Sequence, residues 1–452
     1  MQMSSRATRS VRPTSAVAYA GVVCSFVLAS AVVSACGPET DGPGLTTAAS
    51  DDFVANYVEA LVPEYTLPDP LVSLSGVPVT DAETWRTVRR PEILGLYEQH
   101  VFGKTPEGPF EISAEVLSVE PALAGAAIRK EVRVQLTHDP AGPSFIVLMY
   151  MPSSATGPTP TFLALNFYGN LSLHADEGIT RSTEWMREND EFGIVDNRAT
   201  EATRGVRSSR WPVERILERG YGLATLYYGD IDPDYDDGFE NGIHPYFTDV
   251  TGEPGRWSSV GAWSWGLSRA MDYLVTDEDV DPDQVMVMGH SRLGKAALWA
   301  GAQDERFAIV ISNDSGAGGA ALSRRAYGET VARINDSFPH WFNRAFKRYG
   351  EREGELPVDQ HMLLSLVAPR PLYVASAIED QWADPRGEFL SAYHAGPVYR
   401  LFGEDPLPVE EWPAVDTPVM GTVAYHVRGG GHDVRRYDWE RFMDFADMHL
   451  RD

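Results

Sequence analysis

The stretch from Val285 to Trp299 constrains the fold of this chain more than any other segment. Its first four residues, Val285 to Met288, are apolar and favour a buried strand. The small and apolar residues from Ala296 to Ala302 favour a helix. Ser291 stands between the two, flanked by glycines. A sharp turn that joins a buried strand to a helix lifts a serine hydroxyl above the sheet, beside the positive end of the helix dipole.

The spacing of the glycines departs from the common pattern G-x-S-x-G. Gly289 stands two residues before Ser291, as the pattern requires, but Leu293 holds the last position and the glycine follows at Gly294. The stretch therefore allows two interpretations, a nucleophilic serine on a strained turn or a serine in an ordinary loop between strand and helix. Residues elsewhere in the chain distinguish them.

A histidine near the end of the chain is the predicted partner of this serine. A serine hydroxyl becomes nucleophilic when a base removes its proton, and the base is usually a histidine oriented by a buried carboxylate. In hydrolases of the α/β class the chain order is serine, acid, histidine. His432 lies in the glycine-rich loop that follows the last predicted strand, Val423 to Val427. We predict His432 as the base; the alternative is a histidine in a surface loop.

Three carboxylates are candidates for the acid. Glu379 and Asp380 follow directly after the predicted strand from Leu372 to Ala377, which is the usual position. Asp314 follows the preceding strand, Ala308 to Ser312, and stays open as a third candidate. Adjacent residues of an extended segment point to opposite sides, so only one of the first two can face the histidine. We favour Glu379 over Asp380.

Groups that stabilise negative charge are predicted around the serine. The turn positions the backbone N–H of Arg292 to donate to an oxyanion, and its guanidinium can add positive charge; a surface ion pair is the alternative role. Lys295, one helical turn further, points the same way. The loop Asn166 to Asn170, after a strong apolar run, is a second place for an oxyanion donor. Two cations next to the nucleophile suit an anionic substrate.

The order of the predicted elements indicates the fold class. Strands alternate with helices through the second half of the chain, and three strand patterns precede them, Phe110 to Leu117, Ala127 to Thr137 and Ser144 to Met151. This order predicts an α/β-hydrolase fold: a doubly wound, mostly parallel sheet between two layers of helices, with a leading antiparallel ribbon. We predict a short helix over Asp52 to Leu61 and a longer one over Thr84 to Phe102.

The charge of the chain bears on its partners. The net charge is −27 over 452 residues, and such a surface repels nucleic acid phosphates and anionic lipid head groups. We expect no nucleic acid partner and a monomer. The acidic segment 229–254 offers oxygen ligands that calcium prefers, but it lacks the glycine and glutamate spacing of an EF-hand. We therefore favour a solvated loop for this segment.

The N-terminus resembles a bacterial lipoprotein signal. Three arginines precede an apolar run, Ala16 to Val33, and the run leads into Val33-Ser34-Ala35-Cys36-Gly37. Cys36 is then the lipidated first residue after cleavage; an ordinary cleaved signal peptide is the alternative. Cys24 lies in the removed part, so the mature chain keeps one cysteine and forms no internal disulfide.

The signal peptide sets the expected domain organisation. Residues 1–35 form the signal and residues 36–50 a flexible tether rich in small residues. Residues 51–452 form a single catalytic domain. We expect the protein in the periplasm or at the cell surface, in contact with a membrane only through the lipid at Cys36.

Three motifs of the chain resemble a known family of enzymes. They are the run Gly289-His290-Ser291-Arg292-Leu293-Gly294-Lys295, the Ser-Gly-x-Gly-Gly run at 315–319, and Trp382 shortly after the predicted strand Leu372 to Ala377. Together they are similar to the glucuronoyl esterases, the fifteenth carbohydrate esterase family. Leu67 to Leu71 and Arg90 to Ile93 resemble its bacterial branch. The resemblance extends over residues 65–450.

The resemblance implies a serine esterase without metal or other cofactor. It implies cleavage of the ester between 4-O-methyl-glucuronic acid of glucuronoxylan and lignin alcohols, through an acyl-enzyme. The implied catalytic set is Ser291 as nucleophile, His432 as base, Arg292 at the oxyanion, and one acid from Asp314, Glu379 and Asp380. The implied sugar-binding set is Lys295 and Trp382, with Glu329 and Trp341 in the region where other members bind sugar.

Two further functions are weighed against this one. The first is a serine esterase for another carbohydrate ester, such as acetylated xylan. The cations Arg292 and Lys295 favour the uronate ester over it, because an acetyl group brings neither a sugar ring nor a carboxyl-derived charge to the acyl side. The second is a glycan-binding lipoprotein without catalysis, and the intact serine, histidine and acid argue against it.

Overall fold

The computed structural model describes residues 53–108, 110, 112–247 and 256–451. All of them fall in one compact unit. The predicted signal peptide and tether lie outside the described residues. Within the described part, no helix is both long enough and apolar enough to cross a lipid bilayer.

A mixed sheet of nine strands runs through the described part of the chain, in the order β1-β2-β3-β7-β4-β8-β9-β10-β11. The strands are β1 (Ser113–Ala122), β2 (Ala127–Gln135), β3 (Ser144–Pro152), β4 (Thr159–Asn166), β5 (Ile194–Val195), β6 (Arg198–Ala199), β7 (Gly222–Tyr227), β8 (Val280–His290), β9 (Ile309–Asn313), β10 (Leu372–Ala377) and β11 (Val423–Arg428). β5 and β6 form a separate small hairpin.

The pairing of the strands confirms the predicted α/β-hydrolase fold. β1, β2, β3 and β7 pair antiparallel, and every neighbouring pair from β7 to β11 is parallel. The first strand begins at Ser113 and ends at Ala122, later at both ends than predicted. β8, β9, β10 and β11 are consecutive neighbours, so the loops at their carboxyl ends meet along one edge of the sheet.

Helices cover both faces of the sheet. They are α1 (Ala82–Thr84), α2 (Arg90–Tyr97), α3 (Val213–Glu218), α4 (Ser259–Leu274), α5 (Arg292–Gln303), α6 (Val331–Ser337), α7 (Gln360–Ser365), α8 (Pro385–Leu401) and α9 (Arg436–Leu450). α1 and α2 join with π-helical turns at Trp85–Arg89 and Glu98–Phe102 into the long helix that the sequence predicted.

Alternation of side chains along β8 separates two hydrophobic cores. Val285 and Val287 belong to the core under α2, α4, α5, α7 and α8. Met286 and Met288 belong to the core under α3 and α9. Successive side chains of a strand point to opposite faces, so a continuous apolar run is what a strand buried on both faces requires.

The predicted helix before residue 62 is wrong, apart from one 3-10 turn at Glu59–Leu61. We call residues 53–61 the N-terminal strap. Its backbone bonds to a distant loop: the Gly328 N–H donates to the Asn56 carbonyl at 2.9 Å, and the Tyr327 hydroxyl lies 3.1 Å from the Tyr57 carbonyl. Partners outside the segment satisfy these carbonyls, so the helical bonds are not needed.

Candidate active site

Ser291 occupies the turn between β8 and α5. Its backbone has φ 57° and ψ −131°, a region that residues other than glycine rarely adopt. The Ser291 N–H donates to the Asn313 carbonyl at 2.9 Å, which ties the turn to the end of β9. A Cβ at Gly289 would lie 2.0 Å from the Leu293 carbonyl oxygen, so only glycine fits there. The strand–turn–helix arrangement predicted for the serine is confirmed.

The displaced glycine has a packing reason. A Cβ at Gly294 would lie 2.9 Å from Cβ of Ser315 and 3.1 Å from the Gly289 carbonyl oxygen. Leu293 instead points into the core, with 1% of its surface exposed. α5 therefore makes its close approach to the neighbouring loop at Gly294, one residue later than in the common pattern.

His432 packs against His290, the residue before the serine, and is held by an aspartate. Its Nδ1 is 2.6 Å from Oδ2 of Asp380, and its ring centroid is 4.6 Å from that of His290, the residue before Ser291. Asp380 accepts the Nδ1 proton, so Nε2 is the nitrogen left to accept a proton from a hydroxyl. These contacts give the imidazole the orientation that a general base needs.

The preference for Glu379 over Asp380 is wrong, because the carboxylate that bonds to His432 is that of Asp380. The Glu379 side chain is exposed, and its N–H donates to the Gly430 carbonyl at 3.1 Å. The chain turns just after β10, where the Asp380 N–H donates to the Ala377 carbonyl at 3.1 Å. This turn directs Asp380 inward, with 5% of its surface exposed, and leaves Glu379 facing solvent.

Asp314 lies in the same cluster, in a different environment. A carboxylate oxygen of Asp314, one of Asp380 and a ring nitrogen of His432 all lie within 4.8 Å of one another. Arg428 and Asn313 donate to Asp314 Oδ2 at 3.3 and 3.1 Å. Burial raises the pKa of Asp314 well above its ordinary value, and the charge of Asp380 raises it further. The charge of Arg428 opposes this shift.

His290 is a buried and neutral neighbour of the base. Asn313 Nδ2 lies 2.9 Å from His290 Nδ1 and 3.0 Å from the Asp433 carbonyl, which can only accept. The amide nitrogen must face that carbonyl, so His290 Nδ1 accepts and its proton sits on Nε2. Burial lowers the pKa of His290 well below its ordinary value, and the nearby His432 and arginines lower it further.

Arg292 is held by an aspartate from the acidic loop. Its guanidinium bonds to Asp234, and Asp234 also accepts from Trp341 Nε1 at 2.7 Å and His340 Nε2 at 2.8 Å. Only 1% of Asp234 is exposed, so the prediction of a solvated loop is wrong at this residue. Burial alone would raise the pKa of Asp234, but Arg292 and His340 hold it well below its ordinary value.

We expect Asp234→Asn to unfold more easily and to lose activity. Asparagine keeps the shape but leaves the Arg292 guanidinium buried without its carboxylate, and breaking such a pair costs about 3 kcal/mol or more. Chemical denaturation measures the free energy of unfolding, and kcat reports the placement of Arg292. Asp236→Asn, on the exposed part of the same loop, is the matched control. Equal stability of the two variants would contradict this role for Asp234.

Lys295 is buried and fixed from the next loop. Its ammonium donates to the Ser315 carbonyl. That loop is held in turn by Glu388, whose Oε1 accepts from the Ser315 and Gly316 N–H groups at 2.8 and 3.0 Å. The Ser-Gly-x-Gly-Gly run thus presents a carbonyl to the lysine. Burial lowers the pKa of Lys295 to about 8, although the carboxylate of Glu329 opposes the shift.

We expect kcat/KM to fall as pH rises through about 8, because Lys295 is an ammonium below its pKa and neutral above it. Lys295→Met should lack this fall and should be at least about tenfold slower at pH 7, the effect of losing one charged contact. The measurement is a pH profile of kcat/KM from pH 6 to 10. Lys347→Met, at an exposed position, is the control. A fall that persists in Lys295→Met would assign it to another group.

Glu329 and Trp382 adjoin the base and the lysine. The Glu329 N–H donates to the Trp382 carbonyl at 3.0 Å, and the Trp382 side chain bonds to the Glu329 carboxylate. Burial raises the pKa of Glu329, while Lys295 lowers it. Together they offer an apolar ring face, a hydrogen-bond acceptor and a donor side by side.

Trp341 lies against the two cations. Its ring N–H donates to Asp234. Its ring stacks on Phe338 at 3.7 Å between centroids. The Arg292 guanidinium carbon lies 4.9 Å and the Lys295 nitrogen 5.9 Å from the ring centre. Electron-rich rings stabilise cations at these distances, so the Trp341 ring stabilises the two positive charges.

The loop predicted for an oxyanion donor lies next to Arg292. The Phe167 ring centre is 5.5 Å from the Arg292 guanidinium carbon. The two asparagines of the loop bond to each other, Asn166 Nδ2 to Asn170 Oδ1 at 2.7 Å. Their side chains therefore hold the loop together, and the backbone N–H predicted to donate to the oxyanion is that of Arg292, the first residue of α5.

Sequence reasoning missed Asp234, His340 and Arg428. Asp234 was seen only as one of several acids in a polar loop, and its signal was the need of a buried guanidinium for a counter-charge. His340 follows a proline in an aromatic segment and gave no catalytic signal. Arg428 ends β11 and donates to the Asp314 carboxylate. This contact can be predicted only when the order of the strands is known.

The chain is similar to known carbohydrate esterases over most of its length. A family model described as fungal glucuronyl esterase matches residues 221–403. A carbohydrate esterase from an unknown prokaryotic organism is 50% identical, over 87% of this chain and 92% of that protein. A 4-O-methyl-glucuronoyl methylesterase of Wolfiporia cocos is 31% identical, over 75% of this chain and 72% of that protein.

Solved structures show the same similarity. A promiscuous esterase of carbohydrate esterase family 15 from a marine bacterial metagenome superposes with a TM-score of 0.84 at 50% identity, over 88% of this chain and 100% of that one. A glucuronoyl esterase from Solibacter usitatus gives 0.82 at 50% identity, over 86% and 100%.

Proposed function

The chain belongs to the glucuronoyl esterases, carbohydrate esterase family 15, and we propose that it hydrolyses esters of 4-O-methyl-D-glucuronic acid carried on glucuronoxylan. It is a carboxylic ester hydrolase. The alcohol side of the natural substrate is proposed to be a lignin alcohol. The observation that carries the proposal is a serine on a strained turn, preceded by His290, which packs against a histidine held by Asp380. Two cations follow the serine, the half-buried Arg292 and the buried Lys295.

Acylation begins at the serine. Ser291 Oγ attacks the ester carbonyl carbon while His432 Nε2 takes the hydroxyl proton, and Asp380 stabilises the imidazolium that forms. The carbonyl oxygen becomes an oxyanion, which the Arg292 N–H and guanidinium stabilise. The bond to the alcohol oxygen then breaks, and His432 returns the proton to the leaving alcohol. Ser291 is left esterified to the uronic acid.

Deacylation repeats the sequence with water. His432 takes a proton from a water molecule, whose oxygen attacks the acyl carbon, and the same donors stabilise the second oxyanion. The free uronic acid leaves when His432 protonates Ser291. Lys295, Glu329 and Trp382 hold the sugar ring through both steps. Because Asp234 fixes Arg292 before substrate arrives, the cation needs no rearrangement during the reaction.

The substrate test compares two esters. We expect kcat/KM for methyl 4-O-methyl-glucuronate to exceed that for p-nitrophenyl acetate by about a hundredfold or more, since acetate cannot contact Lys295, Glu329 or Trp382. An esterase for acetylated sugars is the second candidate, and the description of one relative as promiscuous favours it. Equal or faster hydrolysis of the acetate would replace the first function by the second.

We also propose that the enzyme is a monomer anchored through a lipid at Cys36, in the periplasm or at the cell surface. The support is the arginine-rich start, the apolar run and the small residues before the cysteine. Mass spectrometry of the mature N-terminus from a bacterial host tests it, with Cys36→Ala as the control. A mature N-terminus without acyl chains would contradict the anchor.

A further inference from the structure

A cavity opens beside the loop that carries Asp380 and Trp382. It has a volume of about 240 Å³, and its lining includes Gln381, the residue between those two in the chain. The opposite side of the cavity is formed by Tyr57 and Glu59 of the N-terminal strap. None of the groups that bond or transfer protons at Ser291 lines this cavity, so it is separate from the site described above.

Aromatic rings make up much of its wall. Tyr57, Tyr327 and Trp412 line the cavity. Tyr57 keeps 47% of its surface exposed, although its ring is 6.1 Å from that of Tyr327. Rings that remain accessible in a concave site offer flat apolar faces to a ligand, with a hydroxyl at the edge.

The charged groups around the cavity compensate one another. Glu59 lies 2.8 Å from Arg325 and 3.2 Å from Arg386, and Asp384 lies 2.7 Å from Arg325. Such pairs can donate to and accept from hydroxyl groups without attracting a net charge. The volume is below the ~300–1,000 Å³ of sites for drug-sized ligands, so the cavity fits a single ring.

The strap connects the cavity with Trp382, one of the residues proposed to hold the sugar ring. Phe53 packs edge-on against Trp382, with 6.1 Å between ring centres, and the Arg333 guanidinium lies 5.4 Å from the Phe53 ring. Burial raises the pKa of Tyr57, and the charges of Asp380 and Glu329 raise it further, in agreement with its position close to the catalytic loop.

We propose that this cavity binds a neutral pyranose ring of the polysaccharide, next to the esterified uronic acid. The N-terminal strap then forms part of the substrate site, and a substrate that carries xylose units gains binding that a single uronate ester lacks. The inference rests on the proposed function, because it places a neighbouring sugar beside an already bound glucuronate.

Three esters separate the alternatives: methyl 4-O-methyl-glucuronate, benzyl 4-O-methyl-glucuronate, and the methyl ester of glucuronate linked to a xylo-oligosaccharide. We expect Tyr57→Ala to raise KM for the oligosaccharide ester about tenfold, as loss of one aromatic contact would, and to leave the other two unchanged. Tyr57 is half exposed, so the variant should fold. Tyr246→Ala, with 46% of Tyr246 exposed on another loop, is the matched control.

Every other outcome overturns the inference. A KM that rises only for the benzyl ester would assign the cavity to an aromatic alcohol. A KM that rises for all three esters would place Tyr57 in the uronate site itself, and no change for any ester would leave the cavity without a role in binding. Failure of the unaltered enzyme to hydrolyse methyl 4-O-methyl-glucuronate would instead contradict the proposed function.

Discussion

Ser291→Ala is expected to lower kcat on a glucuronate ester by a factor on the order of 10⁵ or more, while the protein stays folded. The hydroxyl forms the covalent intermediate, and without it only the oxyanion donors and substrate binding remain to accelerate hydrolysis by water. Loss of the nucleophile in other serine hydrolases has effects of this size. The measurement is kcat with methyl 4-O-methyl-glucuronate, and Ser154→Ala, at an exposed position, should be unaffected.

A second substitution at the same residue separates chemistry from folding. Ser291 has φ 57° and ψ −131°, and strain of this kind costs about 1–3 kcal/mol for a residue with a Cβ. Ser291→Gly should therefore be as inactive as Ser291→Ala but more stable, by on the order of 1 kcal/mol. Residual activity above about one per cent in both variants would show that another group is the nucleophile.

The turn that carries Ser291 and the alternation of strands with helices could be predicted because their signals are local. A run of four apolar residues, a glycine that no other residue can replace, and a serine before a helix all lie within Val285 to Trp299. Parallel order then places the ends of β9, β10 and β11 beside it. For the same reason the position of His432 could be predicted from its loop after the last strand.

The remaining parts of the site depend on contacts between distant residues. Asp234 meets Arg292 58 positions later in the chain, and a polar loop gives no local sign that one of its acids is buried. The strap meets residues about 270 positions away, and those contacts override its helical pattern. The choice between Glu379 and Asp380 depends on one turn after β10, because adjacent residues differ only in the side that they face.

The two acids near His432 should respond differently to the same change. Asp380→Asn should lower kcat by about 10⁴-fold, because the amide no longer stabilises the imidazolium and can favour the wrong tautomer. Asp314→Asn should stay within about tenfold of the unaltered enzyme. The Asp314 carboxylate bonds to Arg428 and Asn313, and burial and the charge of Asp380 raise its pKa, so an amide replaces it at a smaller loss of charge.

The matched control is Glu379→Gln, which should have no effect because that side chain faces solvent. All three variants are measured on methyl 4-O-methyl-glucuronate at pH 7, together with their unfolding midpoints. If Asp314→Asn were the slowest of the three, Asp314 and not Asp380 would be the carboxylate that stabilises the imidazolium. If Asp380→Asn and Asp314→Asn were equally slow, the pair would share one negative charge.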